Sequence, residues 1–81
     1  MRILIAEDSV LLRAGIARLL TDAGHEIVAA VPVASGLLAA VVDTTPDLAL
    51  VDVRMPPTFT DEGIRAAVLI RAQRPGVAIL V

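Results

Sequence analysis

The chain predicts an α/β fold: a parallel sheet with right-handed crossovers and helices on both faces. Two observations carry this expectation. Short runs of Val, Ile, Leu and Ala alternate with longer stretches in which apolar residues recur at helical spacing, giving strand, helix, strand, helix, strand, helix, strand. One of the runs, Leu48-Ala-Leu-Val51, is apolar at every position, as in a central strand covered on both faces, and it ends on a single carboxylate, Asp52.

In chain order, Ile3-Leu-Ile-Ala6 reads as a strand that stops on two acids, Glu7 and Asp8. Ser9 follows as a helix N-cap. Behind it Leu12, Ile16, Leu19 and Ala23 recur at helical spacing, with Arg13, Arg18 and Asp22 on the other side. Gly24 closes that helix as a left-handed cap. Residues 26–31 are rich in β-branched side chains and form a second strand, stopped by Pro32. A short helix over 35–42 carries Leu37, Leu38, Val41 and Val42 as a broad apolar face suited to a sheet.

The central strand comes next. Arg54 and the Pro56-Pro57 pair end it in a loop, so Asp52 is expected at the carboxyl edge of the sheet, where open α/β sheets place their ligands. A helix over 61–73, capped by Thr60 or Asp61, is expected to turn Ile64, Ala67, Val68 and Ala72 inward, while Arg71 and Arg74 complement the dipole at its end. Pro75-Gly76 breaks the chain, and residues 77–81 read as a fourth, buried-type strand. With nothing after it, that strand would be an unprotected edge.

Composition excludes several functions. Phe59 is the one aromatic residue of 81, which leaves no platform for stacking bases. All seven basic residues are Arg and lie scattered, so no basic stripe forms, and the net charge is -2. Pro32, Asp43, Asp47 and Asp52 interrupt the apolar stretches short of a membrane span, and Glu7 and Asp8 interrupt what would be the apolar region of a signal peptide. Without Cys there is neither a disulfide framework nor a thiolate metal site, and a cytoplasmic location is the default.

If the first and third strands adjoin, Glu7, Asp8 and Asp52 arrive at one sheet edge. Three carboxylates there repel, so some are protonated or a cation sits among them; an all-oxygen set favours a hard divalent ion such as Mg²⁺. That ion keeps several waters and is completed by phosphate oxygens, which suits the pocket to a phosphoryl group. The plainer reading, solvated strand ends, fits Glu7 or Asp8 alone better than Asp52 behind four apolar residues. Dinucleotide binding is disfavoured, because the turn Ala6-Glu-Asp-Ser9 has no glycine and offers acids where a pyrophosphate needs amides. His25, directly after Gly24, reads as a solvated turn residue, and Phe59 with its neighbouring Thr residues as an exposed loop.

These residues carry a resemblance. Ile3-Leu-Ile-Ala-Glu-Asp8 with Ser9 and an amphipathic helix, Pro46-Asp-Leu-Ala-Leu-Val-Asp-Val-Arg-Met-Pro56, and Asp61-Glu-Gly63 resemble the receiver domain of bacterial two-component response regulators. The wording around Arg-Met-Pro-Pro-Thr-Phe-Thr-Asp-Glu-Gly63 is similar to the LuxR/NarL-type branch, whose receivers are joined to a helix-turn-helix. The resemblance implies a flavodoxin-like three-layer fold with sheet order 2-1-3-4. It also implies that Asp52 accepts a phosphoryl group from a histidine kinase, and that Glu7, Asp8, Asp52 and the Arg54 backbone carbonyl hold Mg²⁺.

Two departures stand out. The loop from Asp52 to Gly63 is longer than is common in the family. The family also uses a Ser or Thr after the fourth strand and a Lys ending a fifth, whereas this chain contains no Lys and ends at Val81. Residues 1–81 are therefore expected to form one receiver domain truncated after the fourth strand, lacking the fifth strand and last two helices.

The expected function is signalling: the chain catalyses at most its own phosphorylation and dephosphorylation, and DNA is reached only through a missing output domain. The exposed fourth strand and part of the first helix predict self-association as a dimer. One alternative is a receiver-like interaction module without phosphotransfer, since the Lys and hydroxyl are lacking. The other is a Mg²⁺-dependent α/β phosphohydrolase, which usually places a second acid where Arg54 stands.

Overall fold

The computed structural model describes residues 1–53 and 61–81. The elements run β1 (Arg2–Ala6), α1 (Val10–Asp22), β2 (Glu26–Val31), α2 (Leu37–Thr44), β3 (Leu48–Val51), α3 (Glu62–Gln73) and β4 (Ala78–Leu80), with a 3-10 turn, Ala34–Gly36, leading into α2. The four strands form one parallel sheet in the order β2-β1-β3-β4. Alternation along the strands gives that sheet two faces. Leu4 and Ala6 of β1 with Ala49 and Val51 of β3 pack against Leu37 and Val41 of α2 and Ile70 of α3. Ile3 and Ile5 point the other way and are equally buried, on the side of α1. Each fully buried Ile or Leu contributes about 1.5–3 kcal/mol, so β1 and its two neighbours anchor the domain.

Local signals fix the element ends. Ser9 caps α1, its Oγ accepting from the Leu12 N–H at 3.2 Å. Gly24 adopts φ 95°, the left-handed geometry that a β-carbon disfavours, and lets the chain turn into β2. Arg74 Nη1 donates to the Gln73 carbonyl at 2.8 Å at the end of α3. At the amino edge of the sheet, Asp47 accepts from the Arg2 N–H through Oδ2 at 2.8 Å, and its own N–H donates to the Arg2 carbonyl at 2.8 Å.

Two helices turn a different face inward from the one expected. In α1, Leu12 and Leu19 are exposed, and the half-buried positions are Arg13, Ile16, Ala17 and Leu20. Arg13 thus lies on the sheet side, not opposite it. In α3, Ile64, Val68 and Ala72 are exposed, and Gly63, Ala67 and Ile70 are buried. The reason is the same in both: apolar residues lie on several sides of each helix, so spacing alone does not select a face; a specific contact in the first turns, from Arg13 in α1 and Gly63 in α3, accompanies the face observed. The expected α2 begins at Leu37 and turns Val42 outward.

Asp61 holds the N-cap position of α3, yet its carboxylate receives Arg65 Nη2 at 2.9 Å. Thr60, the alternative cap, lies outside the described residues. β3 is fully covered on the face of Ala49 and Val51, while Leu48 and Leu50 are half-buried. β4 is shorter than expected and not buried: Ala78 and Leu80 are exposed and only Ile79 packs toward the core. It pairs with β3 at the margin of the sheet, and one covered side does not bury a strand.

Candidate functional site

The site follows from strand register. β1 and β3 pair Ile5 with Leu50 and Ala6 with Val51, so the next residues along, Glu7 and Asp52, leave the sheet side by side. The ladder continues one step past the strands: the Asp52 N–H donates to the Ala6 carbonyl at 2.9 Å, and the Glu7 N–H to the Val31 carbonyl at 3.0 Å. Asp8 is next in the chain. Glu7, Asp8 and Asp52 each bring a carboxylate oxygen within 4.8 Å of the others. Glu7 is 8% exposed, and Asp8 and Asp52 are half-buried.

Burial raises the Glu7 carboxyl above its ordinary pKa. The Ser9 backbone N–H, 3.1 Å from Glu7 Oε1, opposes this, while the Asp52 charge and the neighbouring Asp8 push in the same direction as burial. Negative charge is thus held at a cost, which a cation would relieve. The donor set is all oxygen, with neither His nor Cys, and fits a hard divalent ion better than a soft one. Beside the acids lies a cleft of about 230 Å³ lined by Ile5, Ile16 and Leu50. The sequence therefore names three carboxylates that the structure brings together. Arg54, expected to add a backbone carbonyl, lies outside the described residues.

Two site residues were not legible as such. Gly63 donates its N–H to the Val53 carbonyl at 2.9 Å and leaves no room for a side chain against Asp52. A Gly inside an apolar helical pattern is the available signal for so close an approach. Arg13 sends Nη1 to the Glu7 carbonyl at 2.7 Å. Its signal is weaker: a cation one helical turn after the N-cap.

The family model of the response regulator receiver domain matches residues 3–81. The chain belongs to the response regulator receiver domain family. Solved receivers share its fold. A LuxR-family two-component response regulator from Aurantimonas sp. SI85-9A1 is 29% identical with a TM-score of 0.85, covering 96% of this chain and 54% of that one. The signal receiver domain of NarL from Mycobacterium tuberculosis is 26% identical with a TM-score of 0.85, covering 96% and 61%. The isolated receiver domain of RcsB from Salmonella enterica serovar Typhimurium, in the presence of the phosphomimetic BeF3-, is 21% identical with a TM-score of 0.86, covering 98% and 58%. This receiver therefore spans less than two thirds of the solved chains it matches. Comparison with curated protein sequences returns no match.

The flavodoxin-like order 2-1-3-4 and the LuxR/NarL resemblance both hold. No helix among the described residues is long and apolar enough to cross a membrane.

Proposed function

We propose that this receiver is the phosphoacceptor domain of a response regulator, taking a phosphoryl group from a histidine kinase onto Asp52. The observation that carries the reading is the convergence of three carboxylates from two adjacent strands at the carboxyl edge of the sheet. Asp52 is the nucleophile: a carboxylate oxygen attacks phosphorus, the P–N bond of the phosphohistidine breaks, and the leaving imidazole nitrogen keeps the electron pair and is protonated. Glu7, Asp8 and Asp52, with the Arg54 carbonyl, are the proposed holders of Mg²⁺. When bound, that ion offsets charge on the phosphoryl oxygens. Gly63 holds the start of α3 close to the main chain that carries the nucleophile.

Residues 1–81 act as one receiver unit in the cytoplasm. Phosphorylation biases a surface that controls an output domain, a DNA-binding helix-turn-helix as the resemblance to the LuxR/NarL-type branch implies. Exposed Ala78 and Leu80 on β4, the outermost strand of the sheet, favour self-association as a dimer. A small phosphodonor with Mg²⁺ tests the reading. Wild type is expected to take up acid-labile phosphate and Asp52→Asn to take up none. Equal labelling of both removes Asp52 from the role, and an unlabelled wild type points to an interaction module without phosphotransfer.

A further inference from the structure

Arg13 occupies an unusual place for a cation. It lies on the half-buried, sheet-facing side of α1 with Ile16, Ala17 and Leu20, whereas several large apolar residues of the same helix, Leu11, Leu12 and Leu19, are exposed. A charged group turned away from bulk water costs free energy unless it is hydrogen-bonded, and Arg13 has such a bond, Nη1 to the Glu7 carbonyl at 2.7 Å. The turn between β1 and α1 is held by this contact and three neighbouring ones. The Glu7 N–H is held by the Val31 carbonyl at 3.0 Å, and the Glu7 carboxylate by the Ser9 N–H at 3.1 Å. The Ser9 carbonyl is held by the N–H of Arg13 itself at 2.9 Å.

We infer that Arg13 is a positioning residue for the carboxylate site, its guanidinium tying the β1–α1 turn so that Glu7 and Asp8 remain facing Asp52. The contact is made to the main-chain carbonyl and takes up no carboxylate oxygen, so it fixes the acids without competing for a cation. Three carboxylates within 4.8 Å push one another apart, and a turn free to move would relax by opening. Arg suits the task because its planar guanidinium presents several N–H donors in a fixed fork. This inference rests on the reading of the cluster as a cation site.

The test compares wild type with Arg13→Met, which keeps an unbranched apolar stem on the sheet side and removes the donor, and with Arg13→Lys, which restores one charged donor. Mg²⁺ is titrated while the amide signals of Glu7, Asp8 and Asp52 are followed by NMR, and urea unfolding is measured without the ion. Loss of an outer partner of a metal site weakens binding by about 10–100-fold. Arg13→Met is expected to fold, to show that loss, and to regain most of the affinity as Arg13→Lys. An affinity equal to wild type in folded Arg13→Met overturns the inference. If that variant does not fold, Arg13→Leu, which also lacks a donor, takes its place with the same two outcomes. A wild type without saturable Mg²⁺ binding overturns the cation reading itself, and the inference with it.

Discussion

Gly63 lies directly against the main chain of Asp52: a β-carbon on Gly63 would stand 2.7 Å from the Asp52 carbonyl carbon and 2.9 Å from the Val53 α-carbon. Both obstacles are backbone and cannot swing aside. The demand is for room, not for an unusual backbone angle, because among the described glycines only Gly24 has a positive φ. Gly63→Ala is therefore expected to destabilise the domain by about 1–3 kcal/mol and to slow phosphorylation of Asp52 by displacing the start of α3. Gly15 is the control, since a β-carbon there meets nothing within 4 Å and Gly15→Ala is expected to stabilise α1 by about 0.5–1 kcal/mol. Urea midpoints of the two variants should move in opposite directions.

Glu7 links stability to pH. Burial lifts its folded pKa above the ordinary carboxylate value, so its favourable contribution is present at acidic pH and is lost as pH rises through that folded value. Without divalent cation, Glu7→Gln is expected to melt higher than wild type at neutral pH and to flatten the decline of stability from mildly acidic to neutral pH. With Mg²⁺ in excess the order should reverse, because wild type gains binding free energy that the variant lacks. Thermal melts across pH, with and without Mg²⁺, check both signs.

Asp8 supplies one of the three clustered carboxylates. Asp8→Ala is expected to weaken Mg²⁺ binding about tenfold or more, a loss of at least roughly 1.4 kcal/mol. Titration showing unchanged affinity would remove Asp8 from the site.

The proposed self-association runs through β4, the outermost strand beside β3. Ile79 packs partly into the core, whereas Leu80 is 56% exposed on the same strand. Ile79→Lys is expected to shift the protein toward monomer or unfold it, and Leu80→Lys to shift it toward monomer with the fold intact. Sedimentation at increasing concentration separates the species. A wild type that stays monomeric and folds cooperatively at high concentration contradicts edge pairing.

The strands and the acids were legible because each signal was single and local. Apolar runs stop at Glu7 and at Asp52, and parallel register carries the two side by side without further information. Helix faces were less legible. In α1, Val10, Leu11, Leu12, Ile16, Leu19 and Leu20 spread over most of the circumference, and the contact from Arg13 to the Glu7 carbonyl accompanies the face that packs inward. In α3 the close approach of Gly63 plays the corresponding part, leaving Ile64 and Val68 outside. Such choices rest on specific contacts between elements, which periodicity does not encode. The place of β4 at the edge was expected, but its buried character was misread for a related reason: apolar content marks a strand, while only its place in the sheet decides whether both sides are covered.

The most direct test of the central claim is to find the modified atom. Wild type is treated with a small phosphodonor and Mg²⁺, the acyl phosphate is reduced with borohydride, and the peptides are sequenced by mass spectrometry. An aspartyl phosphate at position 52 is reduced to homoserine there, and that conversion, dependent on Mg²⁺ and absent from unphosphorylated protein, is the expected result. Conversion at Asp8 or another carboxylate, with Asp52 recovered intact, would contradict the account.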